Sequence, residues 1–406
     1  MSIFIFHYPL PIIGQMASSR HHSSVSNTRR LVLLASIFTA VFLSGCTNEA
    51  DIEDQLENSL FLMNLPANRW VKYHELQSGD WWRKGHAGLA YDSTRGSLLV
   101  FGSDTHGEDW DNVVHEFIPR QREWVHHGAN AHPDTYKVND EGFPVAGDID
   151  LAPWAMHTYD GVDYDPILDS LVVVASPSHN PISKERPKPK SNPIWIYQLN
   201  KQKWSIFDDG HVKPPPNYFG SATAYDKDNN NIFICRSGLW QLNLTAGALE
   251  KIGKAPNCLH RTMAFDNWRR HLYIFGSYRG TSNVSRFDIG SFSEESKNWE
   301  ELTPGGDHCP TYSSVPVAFD EKAGLFLLVV NDPKSSTDGK HDSATTFIYD
   351  PETNTYEKLI GTKLPAAKLN FMMAWDKTHE VFFLLTGSWK DGISVWALRL
   401  SRVRGR

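Results

Sequence analysis

The sequence has few cysteines, no long apolar runs and no excess of positive charge, and each shortage narrows the class of protein. The longest apolar run, residues 31–43, is short for a membrane span. The formal net charge of -7 argues against general nucleic-acid binding, so no nucleic-acid partner is expected. If Cys46 is lipidated, three of the four cysteines remain, and an odd number in an exported protein indicates a metal site or a free thiol.

Familiar catalytic patterns are also missing. No GxSxG, HExxH, P-loop or dinucleotide-binding fingerprint occurs, and no acidic loop has EF-hand spacing. No long stretch has helical periodicity, whereas 28 glycines and 23 prolines divide the chain into short elements. Aromatic residues make up 12% of the chain and include 14 tryptophans, a content common in carbohydrate-handling proteins.

The N-terminal region has the form of an export signal. Arg29 and Arg30 precede the apolar run 31–43, and the sequence LSGC follows at 43–46. This pattern predicts a bacterial lipoprotein signal over 1–45 and lipidation of Cys46; the alternative is an ordinary signal with a chance cysteine. Residues 46–67 are then expected to be a linker and 68–406 a catalytic domain. The absence of Asp at 47 favours the outer membrane or cell surface of a Gram-negative bacterium.

A repeated pattern organises the rest of the chain. Each unit has an apolar strand ending in aromatic-Asp, a turn, a strongly apolar strand and a weaker strand pair. The six aspartates are Asp92, Asp165, Asp226, Asp266, Asp320 and Asp376.

Four-stranded units of this length predict an all-β fold, a β-propeller. Residues 68–76 are expected to supply the outermost strand of the last blade, whose inner strands lie near 371–398. Six repeats are visible, and the stretch 105–155 is long enough to hide a seventh. A β-sandwich with accidental self-similarity is the alternative.

The aspartates also predict which residues form a functional rim. The residue eight positions before each Asp should begin an innermost strand, and none of these six is aliphatic: Lys84, His157, Tyr218, Cys258, Tyr312 and Lys368. The second strands should end on the same rim, near His106, His179, Arg236, Tyr278 and Arg279. If residue 165 pairs with residue 169, then His157 and His179 are diagonal neighbours on one face; a slip of one residue would separate them.

These residue types suit removal of a proton α to a carboxylate. Histidine and tyrosine transfer protons, and arginine binds a carboxylate bidentately. In order and approximate spacing, His157, His179, Tyr218, Arg236 and Tyr278 resemble the ulvan lyases of polysaccharide lyase families 24 and 25. That resemblance implies a seven-bladed propeller that cleaves a uronate polysaccharide by β-elimination.

The resemblance also implies roles for individual residues. His157 and Tyr218 would transfer protons with support from His179, Arg236 would neutralise the carboxylate, and Tyr278 would position or assist. Apart from the resemblance, the charged and polar rim residues Lys84, Arg279, His106 and Lys368 are expected to attract an anionic chain, or to be no more than solvated rim. This chain is shorter than the family leads one to expect and shows six repeats rather than seven.

A structural zinc site is a further expectation, which the resemblance supports. Cys235, Cys258, His260 and Cys309 make a closed tetrahedral set, although no CxxC spacing is present. Buried free thiols, or one disulfide with one free cysteine, are the alternatives. Calcium on the acidic loops is a second candidate cofactor.

The sequence therefore predicts a monomeric, surface-anchored lyase acting on an anionic polysaccharide, ulvan or a relative. Two competing hypotheses are a non-catalytic propeller that binds glycans or proteins, and a pectic lyase that uses a catalytic metal held by histidines.

Overall fold

The computed structural model describes residues 49–76, 85–107, 109–147, 151–177, 180–207, 218–277, 279–290, 298–332, 343–361, 364–367, 372–388 and 392–401. Contacts divide the chain into two compact units, Met1–Leu56 and Glu57–Arg406. The predicted signal peptide and Cys46 lie outside the described residues. Among the described residues, no helix is both long and apolar enough to cross a membrane.

Helix α1 (Glu49–Met63) occupies much of the stretch predicted to be a linker. Its acidic first turns suit the positive end of the helix dipole. In the second unit, Leu62 and the following Leu65 are buried in the core, and Asn58 donates a hydrogen bond to the carbonyl of Arg120. Residues 57–67 are therefore part of the folded domain, which corrects the expectation of a linker there.

The described residues of the second unit form six sheets, here called blades 1 to 6, each built on four antiparallel strands; a fifth, parallel strand extends one of them. Blade 1 contains β2 (Gly88–Asp92), β3 (Ser97–Phe101), β4 (Val114–Ile118) and β5 (Glu123–His127). Blade 2 contains β9 (Val162–Asp165), β10 (Ser170–Val173), β11 (Ile194–Gln198) and β12 (Lys203–Phe207). Blade 3 contains β13 (Ala222–Asp226), β14 (Asn231–Arg236), β15 (Gly238–Asn243) and β16 (Ala248–Gly253).

The remaining blades follow the same plan. Blade 4 contains β17 (Thr262–Asp266), β18 (His271–Phe275), β19 (Val284–Asp288) and β20 (Glu300–Leu302). Blade 5 contains β22 (Val317–Asp320), β23 (Leu325–Asn331), β24 (Ala344–Asp350) and β25 (Thr355–Lys358), with the short β21 (Gly305–Gly306) parallel to β25. Blade 6 contains β26 (Met373–Asp376), β27 (Val381–Ser388), β28 (Gly392–Leu398) and β1 (Val71–Leu76).

Strand β1 closes the ring, as the sequence predicted. It pairs with β28, so the last blade is built from both ends of the domain. The innermost strands contact one another in the cyclic order β2, β9, β13, β17, β22, β26 and back to β2. The fold is thus a β-propeller, and the six predicted repeats are confirmed as its blades.

The ring leaves no gap for the seventh blade that the family resemblance implied. The stretch 105–155 supplies β4, β5 and a separate three-stranded sheet of β6 (Lys137–Val138), β7 (Pro144–Ala146) and β8 (Ala152–Pro153). Short 3₁₀ helices occur at Thr105–Gly107, Pro133–Thr135 and Pro181–Lys184. The expectation of seven blades is wrong because six innermost strands already complete the circle.

The repeated aspartate has a physical explanation in the turn that follows it. Each Asp pairs with the residue five positions later, as Asp165 does with Ser170. The carboxylate accepts hydrogen bonds from backbone N–H groups two and three residues on, such as those of Ile167 and Leu168. The fourth residue after the Asp has positive φ in every repeat, for example Asp169 (51°) and Asn230 (51°).

This turn geometry corrects the predicted hairpin register. The predicted register pairs residue 165 with residue 169. In the structure Asp165 pairs with Ser170, because the extra left-handed residue lengthens the turn by one position. The slip removes the argument that placed His157 and His179 on one face. His179 itself lies outside the described residues.

Polar contacts join neighbouring blades around the turn end of the ring. Arg95 binds Asp92 of its own blade 1 and Asp169 of blade 2, with Nη–Oδ distances of 2.5–2.6 Å. Tyr91 bonds to Asp376 at 2.5 Å and so joins blade 1 to blade 6. The other joints are Asn230 with Asp165, Arg270 with Asp226, Arg269 with the carbonyl of Gly324, and Lys322 with Glu380.

Candidate functional site

The candidate site lies where the innermost strands begin, at the end of the ring opposite the aspartate turns. In blades 1 to 5 the residue six positions before the repeat aspartate forms the rim there. Tyr159, Gly220, His260 and Ser314 occupy this position with φ values from 52° to 67°. His86 is the corresponding residue of blade 1. His157, in contrast, lies at the predicted offset of eight residues, so residues at both offsets belong to the site.

Four histidines gather on this rim and are called the histidine cluster: His86, His106, His157 and His260. The ring centroid of His157 lies 4.3 Å from that of His86 and 4.7 Å from that of His106. His260 packs against Tyr159 at 4.3 Å between ring centroids. Because Tyr159 also contacts His86 at 5.4 Å, its ring joins the two halves of the cluster.

His157 is the most enclosed member, with 2% of its surface exposed. Its Nδ1 lies 3.0 Å from the phenol oxygen of Tyr159, and its Nε2 lies 3.1 Å from Oγ1 of Thr105. Both hydroxyls can donate or accept, so either neutral tautomer of the imidazole fits these partners. The pair of His157 and Tyr159 can therefore pass a proton between the two side chains.

Three groups of the site are placed where they could hold a metal ion. One ligand atom each from His86, Asp104 and His157 lies within 4.8 Å of the other two. Nε2 of His86 is 3.6 Å from a carboxylate oxygen of Asp104. Asp104 and His157 are buried, whereas the side chain of His86 is 31% exposed.

Backbone hydrogen bonds hold these groups together. The carbonyl of His86 accepts bonds from the N–H groups of both Thr158 and Tyr159, at 2.9 Å each. The segment that carries Asp104 is fixed to the same loop by the bond from Ser103 N–H to the carbonyl of Met156, at 3.0 Å. Gly102 permits this close packing, since a Cβ there would lie 2.4 Å from Oγ1 of Thr158.

The structure brings only part of the predicted rim together. His157, His106 and His260 belong to the histidine cluster, the last of these having been predicted as a zinc ligand. Tyr218 is fully buried and packs in a hydrophobic cluster with Val172, Val174 and Ile234. Arg236 is half-buried at the end of β14, and Arg279 is exposed. Lys84, His179, Tyr278 and Lys368 lie outside the described residues.

The cysteines do not form the predicted zinc set. Cys235 and Cys258 are joined in a disulfide, so neither sulfur can serve as a thiolate ligand. Cys309 is a free, buried cysteine in a different hydrophobic cluster, and burial raises the pKa of its thiol. The structure thus has the alternative arrangement of one disulfide and one free cysteine.

The residues that sequence reasoning missed are His86, Asp104, Tyr159 and Phe219. His86 and Tyr159 occupy the rim position six residues before the aspartate, so the repeat pattern could have identified them. Asp104 follows a strand end, and only the folded loop brings it to the histidines. Phe219 packs against Tyr159 and His260 at 5.3 and 5.6 Å between ring centroids, which adds an aromatic surface to the site.

A cavity of about 620 Å³ lies along the inner strands, and Asp160 and Asp163 are among its lining residues. The carboxylate of Asp160 accepts a hydrogen bond from the N–H of Met263 at 2.7 Å. Burial raises the pKa of Asp160 and raises that of Asp163 to about 7. Both aspartates are half-buried, because the cavity gives solvent access to their side chains.

Comparisons with known proteins give similarities of structure. No protein-family model matches the chain, and no curated protein matches it. Among solved structures, a GH74 enzyme from Niastella koreensis has a TM-score of 0.43 and 12% identity, covering 80% of this chain and 47% of its own. The chain thus spans about half the length of that enzyme. An auxiliary nutrient binding protein from Bacteroides ovatus has a TM-score of 0.46 and 9% identity, covering 81% of this chain and 76% of its own.

Proposed function

We propose that the protein is a polysaccharide lyase that cleaves a uronate-containing anionic polysaccharide, ulvan or a relative, by β-elimination. The observation that carries this proposal is the hydrogen-bonded pair of His157 and Tyr159 within the histidine cluster. Such a pair offers a proton acceptor and a proton donor within one hydrogen bond of each other. Elimination needs both, one at the carbon beside the carboxylate and one at the leaving oxygen.

The elimination breaks one carbon–hydrogen bond and one carbon–oxygen bond and forms one carbon–carbon double bond. A side chain of the pair takes the proton from the carbon α to the uronate carboxylate, and that electron pair forms the new carbon–carbon double bond. The bond from the β carbon to the glycosidic oxygen breaks, and the leaving oxygen receives a proton. The products are a new reducing end and an unsaturated uronate at the new non-reducing end.

The weak acidity of the α proton makes charge neutralisation the demanding part of this chemistry. A well-placed donor contributes about 3–4 kcal/mol to stabilising the developing negative charge. Arg236 is the proposed neutralising residue, from its position at the end of β14 in the neighbouring blade. His179, Tyr218 and Tyr278 remain proposed members of the site, with Lys84, Arg279, His106 and Lys368 as proposed contacts along the anionic chain.

The pattern at the N-terminus supports a proposed location for this activity. Export as a lipoprotein, with a lipid on Cys46, would hold the propeller at a bacterial cell surface, where a large external polysaccharide is accessible.

The ultraviolet absorbance of the unsaturated product tests the proposal. The protein from residue 47 onward is incubated separately with ulvan, pectate, alginate and glycosaminoglycans. A rise with ulvan that His157→Ala and Arg236→Ala abolish, and that His132→Ala leaves intact, is the expected result. His132 is a matched control because it is an exposed histidine paired with Asp134, at 3.3 Å. No rise on any uronan would favour a binding propeller instead.

A further inference from the structure

We infer that His86, Asp104 and His157 form a binding site for one divalent transition-metal ion, zinc being the expected ion. Zinc bonds to imidazole nitrogen at about 2.0–2.1 Å and to carboxylate oxygen at about 2.0–2.2 Å, so two ligands of a tetrahedral ion lie about 3.3 Å apart. The 3.6 Å between Nε2 of His86 and Oδ1 of Asp104 is close to that spacing. All three ligand atoms lie within 4.8 Å of one another, and side-chain rotation would bring the longer separations to the tetrahedral spacing.

The site is built by the fold and does not depend on flexible surface side chains. Its three residues come from three separate segments, and the backbone bonds from Thr158 and Tyr159 to the His86 carbonyl fix two of them relative to each other. The bond from Ser103 to Met156 fixes the third. A buried carboxylate between two imidazoles is a donor set that a cation stabilises strongly, since it neutralises a charge already removed from water.

The donor types select the class of metal. Two imidazole nitrogens and one carboxylate oxygen suit zinc, cobalt or manganese. Calcium takes six to eight oxygen ligands, which this group does not provide. Three protein ligands leave a position open to a further ligand, and the exposed His106 is nearby, with its ring centroid 4.7 Å from that of His157.

The partner of His157 on its other nitrogen fits the role of a metal ligand. With Nε2 on the ion, Nδ1 keeps its proton and donates it to the phenol oxygen of Tyr159, 3.0 Å away. The ion would replace the Thr105 hydroxyl as the partner of Nε2. Hydrogen bonds of this kind orient a ligating histidine, and here the bond also stabilises a negatively charged Tyr159 oxygen.

A catalytic consequence follows, and it alone rests on the proposed function. An ion at this position would bind the uronate carboxylate and share with Arg236 the neutralisation of its charge. Tyr159, rather than His157, would then accept the α proton.

Metal content measures the inference directly. The protein is stripped with a chelator, dialysed separately against zinc, manganese or calcium salts, passed through a desalting column and analysed by plasma mass spectrometry. One zinc per chain is expected, with no displacement by excess calcium. His86→Ala and Asp104→Asn should each lose stoichiometric zinc, and His132→Ala should keep it. Cobalt loading should give the visible absorption of a four-coordinate nitrogen and oxygen site in the parent protein only.

Asp104→Asn keeps the size and hydrogen-bonding capacity of the side chain, and its circular dichroism checks that it folds. A parent protein without stoichiometric metal overturns the inference, as does full retention of zinc by both folded variants. Zinc binding without any lyase activity would overturn the proposed function and leave the metal site standing. Full activity of the metal-free protein would remove only the catalytic consequence.

Discussion

The phenol oxygen of Tyr159 lies 3.0 Å from Nδ1 of His157, while its ring packs 4.3 Å from the ring of His260. Tyr159 thus connects the most buried imidazole of the site to the neighbouring histidine. Removing only the oxygen separates its chemical role from its packing role, because phenylalanine preserves the ring.

Tyr159→Phe should lower the rate of uronan cleavage by about 10²–10⁴-fold, the usual contribution of a positioned proton-transfer group. The free energy of unfolding should change by no more than about 1 kcal/mol, since the hydrogen bond between Tyr159 and His157 is lost. Product absorbance and a melting curve measure the two quantities. Tyr225→Phe is the matched control, because its phenol bonds to Asn230 at the turn end of the ring. Equal rates in Tyr159→Phe and the parent would remove Tyr159 from the proposed mechanism.

The sequence predicted the blades well because the signal that defines them is local. An aspartate that accepts hydrogen bonds from the next turn needs only neighbouring residues, as Asp92 shows with Thr94 and Arg95. Such a turn recurs in the innermost hairpin of every repeat, so the spacing of the turns reveals the repeat. The closing strand β1 was likewise predictable as an outermost strand, because no inner strands precede it in the sequence.

The site was harder to predict because its geometry depends on loops. One left-handed residue, Asp169 in blade 2, shifts the hairpin register and with it the face on which each rim residue lies. Asp104 approaches His86 only through backbone bonds between segments more than fifty residues apart, Ser103 with Met156 being one of them. The disulfide joins two adjacent blades, and nothing in the cysteine spacing distinguished it from a metal set.

Arg95 should contribute strongly to the stability of the ring, because it links blades 1 and 2. It binds the fully buried Asp92 and the partly buried Asp169 of the next blade, so Arg95→Met leaves a buried carboxylate without its cation. The expected loss is about 2–4 kcal/mol in the free energy of unfolding, measured by urea denaturation. Arg286→Met, which breaks an ion pair with the more exposed Glu300, should cost about 1 kcal/mol or less. Similar losses in the two variants would show that the joint between blades contributes little.

The disulfide should stabilise both the fold and the site. Cys258 lies two residues before His260, and its carbonyl accepts a bond from Arg261 N–H at 3.0 Å, so the bridge to Cys235 anchors the turn that presents this histidine. Replacing both cysteines with alanine should cost about 2–4 kcal/mol. Lyase activity should fall more than in Cys309→Ala, which changes a buried thiol far from the histidine cluster in sequence. Thiol titration before and after reduction checks the pairing, and three free thiols in the unreduced mature protein would contradict it.

Asp163 should make stability depend on pH. Its pKa of about 7 in the folded protein lies above the value of about 3.9 expected in the unfolded chain. The folded state therefore binds the proton more tightly, and the resulting stabilisation is complete below about pH 4 and lost as the pH rises to about 7. Asp163→Asn keeps an acceptor for the N–H of Tyr164 and removes the charge.

The variant should therefore be more stable than the parent by about 1–2 kcal/mol at pH 8, because water in the cavity screens part of the roughly 4 kcal/mol that three pKa units represent. The difference should shrink at pH 5, where the parent carboxyl is protonated when folded. Urea denaturation at both pH values measures it, with the exposed Asp140→Asn as control. A difference that does not change between the two pH values would mean that Asp163 is ionised in the folded protein throughout this range, and the cavity would then hold a stable negative charge.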